Sequence, residues 1–130
     1  MDSKGDTRAD RKAWTFVNRA QSFTHAFRGL RIFFITTPNA YIHFVAVIIV
    51  IIAGFYYKVS EFEWLALVLA MGLVFVSEAI NTAIEIDINL TSPQFHPYAR
   101  DTKDVAAGAV MLSVFISIII GMIVFLPKIL

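Results

Sequence analysis

Glu78, Asn81 and Glu85 follow directly on an apolar run. Trp64 to Val76 holds 13 apolar residues, and the chain then reads Ser77-Glu78-Ala79-Ile80-Asn81-Thr82-Ala83-Ile84-Glu85. At about 100° per residue on a helix, Glu78 and Glu85 fall within roughly 20° of each other. Asn81 lies between them in height and about 60° to one side, and Asn89 continues the stripe one turn on. Asp87 points roughly the opposite way. Counted from Trp64, Glu78 is about 21 Å along the axis, which is hydrocarbon depth near one leaflet if this helix spans a membrane. An ionisable group there costs at least about 2.5 kcal/mol and has to face protein or a wet cavity. One reading is an interhelical staple of protonated carboxyls; the other is a functional site. Two glutamates and an asparagine make an expensive staple, and intramembrane carboxylates are functional by default.

A second group stands at Arg100-Asp101-Thr102-Lys103-Asp104, just before another apolar run. Asp101 or Thr102 is the expected N-cap of a helix there. Its free backbone N–H groups and dipole, beside Lys103, would form an anion site at the membrane surface. The alternative is capping plus ordinary snorkelling of a lysine. A carboxylate stripe ending at the same leaflet favours the polyanion site. His25, His43 and His96 have no metal-ligand spacing, so a zinc site is not expected. His43, near the start of the first span, reads as an interfacial hydrogen-bonding residue.

These groups need membrane-spanning elements to hold them. The chain has 130 residues, 58% hydrophobic and only 16% charged, and its mean hydropathy is +0.69. Soluble domains are about a quarter charged. This is one small domain and not a disordered chain. A formal charge of +1 carries no nucleic-acid signal, and the absence of cysteine excludes disulfides and thiolate metal sites. Residues 40–57 and 105–126 are uncharged, and about 20 helical residues cross a bilayer core. The expected fold is therefore all-α and integral to the membrane: a polar tail over 1–13, then one membrane domain over 14–130. Within it the spans are about 39–58, 62–89 and 104–126. No signal peptide is recognisable ahead of them.

Phe16, Ala20, Phe23, Phe27, Leu30 and Phe34 recur at helical spacing among Arg19, Arg28 and Arg31. That pattern predicts an amphipathic helix over 14–37 lying on the membrane surface, ended by Thr37-Pro38. Residues 1–38 carry seven of the eleven basic side chains, which places the N-terminus in the cytoplasm. Ala109, Ser113, Ser117 and Gly121 form a small-residue stripe that favours a homo-oligomer.

Glu78-Ala79-Ile80-Asn81-Thr82-Ala83-Ile84-Glu85 followed by Lys103-Asp104-Val105-Ala106-Ala107-Gly108-Ala109 resembles the small prokaryotic diacylglycerol kinase family, which includes diacylglycerol and undecaprenol kinases. The likeness runs over about residues 14–126 and includes Phe27-Arg28-Gly29-Leu30. Ile42-His43 and His96-Pro97 look more like the undecaprenol kinase branch. The resemblance implies a homotrimer in the bacterial inner membrane that transfers the γ-phosphate of MgATP to a lipid hydroxyl. It implies that Glu78 is the general base with Asn81 beside it, that Glu85 holds Mg²⁺, and that Lys103 and Asp104 bind the nucleotide. Three positions depart from the family pattern. Thr37 stands where a second magnesium-binding glutamate is usual, Tyr41 replaces an arginine, and Asn89 replaces an aspartate. The alternative is a catalytically impaired member acting as a membrane scaffold or lipid-binding protein.

Overall fold

The computed structural model describes residues 8–130, with side chains from Thr15 onward except Phe16. Four helices follow in order: α1 Arg8–Thr36, α2 Pro38–Tyr56, α3 Glu61–Thr91 and α4 Pro97–Ile129. There is no strand among the described residues. The chain divides between Ile32 and Phe33 into two units.

In the first unit α1 begins at Arg8, not at residue 14. Arg8, Ala9, Arg11, Lys12 and Ala13 are strong helix formers, so the helix runs on past the apolar stripe. Residues 1–7 of the expected tail, and the side chains of Arg8, Arg11, Lys12 and Phe16, lie outside the described residues. Gly29 does not interrupt the helix. Phe23, Phe27 and Leu30 are exposed, as are the polar residues between them. Ser22 and Thr24 turn their hydroxyls back onto the carbonyls of Asn18 and Ala20.

Within the second unit, a break set by proline separates the end of α1 from α2. Thr37 is extended, with φ −109° and ψ 95°, and Pro38 opens α2 at a position that needs no N–H donor. The far end of α2 closes in a tight turn. Lys58 adopts a left-handed φ of 50°, while the N–H groups of Lys58 and Val59 donate to the carbonyls of Phe55 and Gly54, a Schellman cap. Ser60 and Glu63 then form a reciprocal capping box at the start of α3. Gly54 permits close contact here, because a Cβ at that position would collide with the Trp64 ring.

The helices α3 and α4 pack antiparallel along their length. Leu67, Ala70, Val74, Glu78 and Thr82 are the buried residues of α3, Ala106, Ser113 and Val124 those of α4, and Leu67 clusters with Val124. The pair is clasped at both ends, by Lys128 Nζ on Glu63 Oε1 at 2.9 Å and by Lys103 Nζ donating to Asn89 Oδ1 at 2.6 Å. Ser117 Oγ donates to the Ala70 carbonyl at 3.0 Å. Of the small-residue stripe, Ser113 is buried and Ser117 meets α3, whereas Ala109 is exposed and a Cβ at Gly121 would meet no atom within 4 Å.

The start of α4 corrects the sequence reading. Pro97 is its first residue and His96 its N-cap, with Nδ1 accepting from the Tyr98 N–H at 3.3 Å. Asp101 and Thr102 are already inside the helix, and the Thr102 hydroxyl donates to the Tyr98 carbonyl. No free helix N-terminus therefore lies beside Lys103. The prolines of this stretch read as loop residues, whereas Pro97 nucleates the helix.

All three helices of this unit are long and apolar enough to cross a membrane. Their large side chains, Ile49, Leu69, Phe115 and Ile123 among them, are mostly exposed. That much continuous apolar surface needs a lipid or protein covering.

Candidate active site

Glu78 is 2% exposed and is the largest fully buried side chain among the described residues. It sits in the seam where α2 meets α3, and its Oε1 lies 3.1 Å from His43 Nε2. Phe75, one turn earlier on α3, meets the His43 ring edge-on at 6.5 Å between centroids. One turn beyond Glu78, the hydroxyls of Thr82 and Thr37 lie 2.7 Å apart, both buried.

Asn81 turns to the other side of α3. Its Nδ2 donates to Glu85 Oε1 at 3.1 Å, while its Oδ1 is buried and has no hydrogen-bond partner. A buried acceptor left empty costs about 1–3 kcal/mol, so this oxygen is set to receive a donor. Asn81 also borders a groove of about 540 Å³ between α3 and α4, with Ser77, Tyr98, Asp101 and Thr102. Glu85 is exposed at the far end of the stripe.

Lys103 reaches Asn89 from α4, and Arg100 Nε lies 3.6 Å from Asp104 Oδ2, both groups exposed. These residues line a separate cleft of about 360 Å³ with His96 and Gln94 at the α3–α4 turn. The stripe therefore spans two environments. Glu78 is buried against α2, whereas Glu85 is exposed and Asn89 and Lys103 line the cleft at the α3–α4 turn.

Sequence spacing placed Glu78, Asn81 and Glu85 on one stripe, and the structure pairs only the last two. It brings Lys103 to Asn89. It also adds two contacts that spacing did not supply, His43 on Glu78 and Thr37 on Thr82.

No cluster of three or more histidines, aspartates or glutamates able to hold a metal occurs among the described residues. A magnesium ion arriving with phosphates fits better. Such an ion takes one or two carboxylates and keeps its waters. Glu85 is exposed, and Asn81 occupies only its Oε1.

The model of the prokaryotic diacylglycerol kinase family matches residues 24–125. The chain belongs to that family. It is 43% identical to an undecaprenol kinase of Bacillus subtilis, an alignment covering 83% of this chain and 88% of that one. It is 34% identical to a diacylglycerol kinase of Synechocystis sp., over 92% of this chain and 70% of the relative. It is 23% identical to a diacylglycerol kinase of Escherichia coli, over 80% and 85%. As a member of this family with three spanning helices, the chain is a multi-pass membrane protein and a lipid kinase.

Proposed function

We propose that the chain transfers the γ-phosphate of ATP to the hydroxyl of a membrane lipid alcohol, with undecaprenol as preferred acceptor and diacylglycerol as second choice. The observation that carries this reading is a buried carboxylate, Glu78, on the same helix as an exposed carboxylate two turns on, Glu85. The first lies at the depth of a lipid hydroxyl, and the second is exposed where a nucleotide that stays in water can reach it. The preference for undecaprenol rests on the 43% identity to an undecaprenol kinase.

Glu78 takes the proton of the acceptor hydroxyl as that oxygen bonds to the γ-phosphorus. The bond from this phosphorus to the oxygen bridging the β-phosphate breaks, and ADP leaves. Asn81 holds Glu85 through its Nδ2, and Glu85 faces the phosphate end. Lys103 and Asp104 bind the nucleotide. Glu85 would hold magnesium, which when bound would neutralise phosphate charge. Most of the rate in such transfers comes from positioning and charge neutralisation. In mixed micelles with labelled ATP, undecaprenol should be phosphorylated faster than diacylglycerol. Equal or reversed rates would overturn the preference, and no labelled lipid from either would overturn the kinase reading of this site.

Lys103 depends on Asn89. An aspartate at position 89 would neutralise the ammonium, whereas the asparagine carbonyl orients it and leaves its charge for phosphate. Asn89→Asp should therefore raise the KM for ATP severalfold with little change in kcat. An unchanged KM would show that Lys103 does not serve the nucleotide.

The same reading includes a homotrimer in the bacterial inner membrane with its N-terminus in the cytoplasm. The basic residues concentrated in 1–38 support the orientation. A lone cysteine at Gln94, in a chain with none of its own, should resist an impermeant thiol reagent in intact cells. Labelling from outside would reverse the topology. Cross-linking in mild detergents should give trimers, and monomer alone would rule them out.

A further inference from the structure

We propose that His43 is a positioning residue for phosphoryl transfer: it donates from Nε2 to one oxygen of Glu78 and aims the other at the acceptor hydroxyl. The proposal rests on the reading of Glu78 as the proton acceptor.

A carboxylate removed from water needs a hydrogen-bonding partner. The polar side chains around Glu78 are otherwise committed. The Ser77 hydroxyl donates to the Val74 carbonyl, the Thr82 hydroxyl is paired with Thr37, and Asn81 donates to Glu85. Lys103 is bonded to Asn89 and Arg100 lies beside Asp104. Among the described residues, the hydrogen bond recorded for the Glu78 carboxylate is the one from His43.

The imidazole is itself held in place. Ala40, fully buried in the first turn of α2, seats that helix three residues before His43. The Phe75 ring stands edge-on to the imidazole, at 79° between planes. On its other side His43 borders an apolar cavity of about 260 Å³ between α2, α3 and α4, with Val47, Leu67, Val74 and Phe125. The Ser117 hydroxyl at this cavity is spent on backbone carbonyls. His43 is therefore the group with a polar atom to offer where an alkyl environment meets Glu78. A donor on Oε1 fixes the carboxylate rotamer, so the second oxygen is presented in one direction and no rotation is needed at the moment of proton transfer.

The test uses the full chain in lipid–detergent micelles, with MgATP and lipid alcohol varied independently. His43→Leu removes the donor, and His43→Gln restores an N–H at the end of the side chain. His43→Met replaces the leucine variant if that one does not assemble. The donorless variant should lose about 10- to 100-fold in kcat, the scale of a misplaced reacting group, with the KM for ATP unchanged. His43→Gln should recover most of that loss. In a Glu78→Gln background the donorless substitution should have no further effect on the residual rate. A donorless variant with wild-type kcat, or a glutamine variant as impaired as the leucine one, overturns the proposal while Glu78 keeps its role. A Glu78→Gln protein that turns over at close to the wild-type rate overturns the reading of Glu78, and the role of His43 with it.

Discussion

Glu78→Gln is expected to abolish most phosphoryl transfer and leave nucleotide binding within about twofold of the wild type. The substitution keeps the shape of the side chain and an oxygen able to accept from His43, so the seam between α2 and α3 should survive it. What it removes is the ability to take a proton. Positioned acid–base groups contribute about 10²- to 10⁴-fold, and a loss in that range is the expected result. Nucleotide contacts should be spared, because Lys103 and Asp104 lie on α4 beside the polar cleft and not in the seam. Single-turnover transfer of labelled phosphate, alongside equilibrium ATP binding, separates the two effects. Lost ATP binding with undiminished turnover of the bound fraction would disprove the assignment.

The second large effect concerns magnesium. If Glu85 is the one protein carboxylate on the ion, activity should require high free Mg²⁺ and Glu85→Gln should be inactive at every concentration. Thr37 is 7% exposed and sits against Thr82, three residues before Glu85 on α3. Thr37→Glu would lose a hydroxyl pair worth about 1 kcal/mol. It would add a negative charge to a partly dehydrated region near the metal, where Coulomb attraction is strong. Its magnesium requirement should fall severalfold while its thermal stability drops slightly. The measurement is a magnesium titration of wild type and both variants at fixed MgATP. A wild type that saturates at low magnesium and is indifferent to Thr37→Glu would mean another group supplies the ligand. An inactive wild type rescued by Thr37→Glu would mean that the natural chain has lost the reaction.

The spans and their order were legible because uncharged runs of bilayer length leave few alternatives. The break at Thr37-Pro38 was legible because the proline ring constrains the residue before it. Burial of Glu78 followed from the cost of leaving a carboxylate against lipid. The start of α4 was not legible: neutral histidine is an uncommon cap, and a stretch with Pro93 and Pro97 among polar residues has the composition of a loop. Periodicity also failed to separate Glu78 from Asn81. It assigns a face on one helix, while the neighbour that each side chain meets depends on how α2 and α4 flank α3. The His43 contact had a usable signal. Counted outward from the turn at Lys58 and Val59, His43 and Glu78 fall within about one helical turn of the same level. That count requires knowing that the turn is tight, which the left-handed lysine conceals, since glycine is the residue usually found there.

The brevity of that turn bears on how the protein enters its membrane. Only Tyr57 to Ser60 separate α2 from α3, too few residues to let the two helices partition one at a time. A link this short favours their entry together as a hairpin, ahead of α4. Of the three spanning helices, α3 is the one burdened by intramembrane acids, and alone it is the poorest candidate for insertion. Arriving joined to α2, it brings Glu78 into hydrocarbon with the His43 imidazole alongside. The two-helix intermediate thus shields its buried carboxylate before the third span emerges, and the chaperoning of that acid is built into the order of the chain.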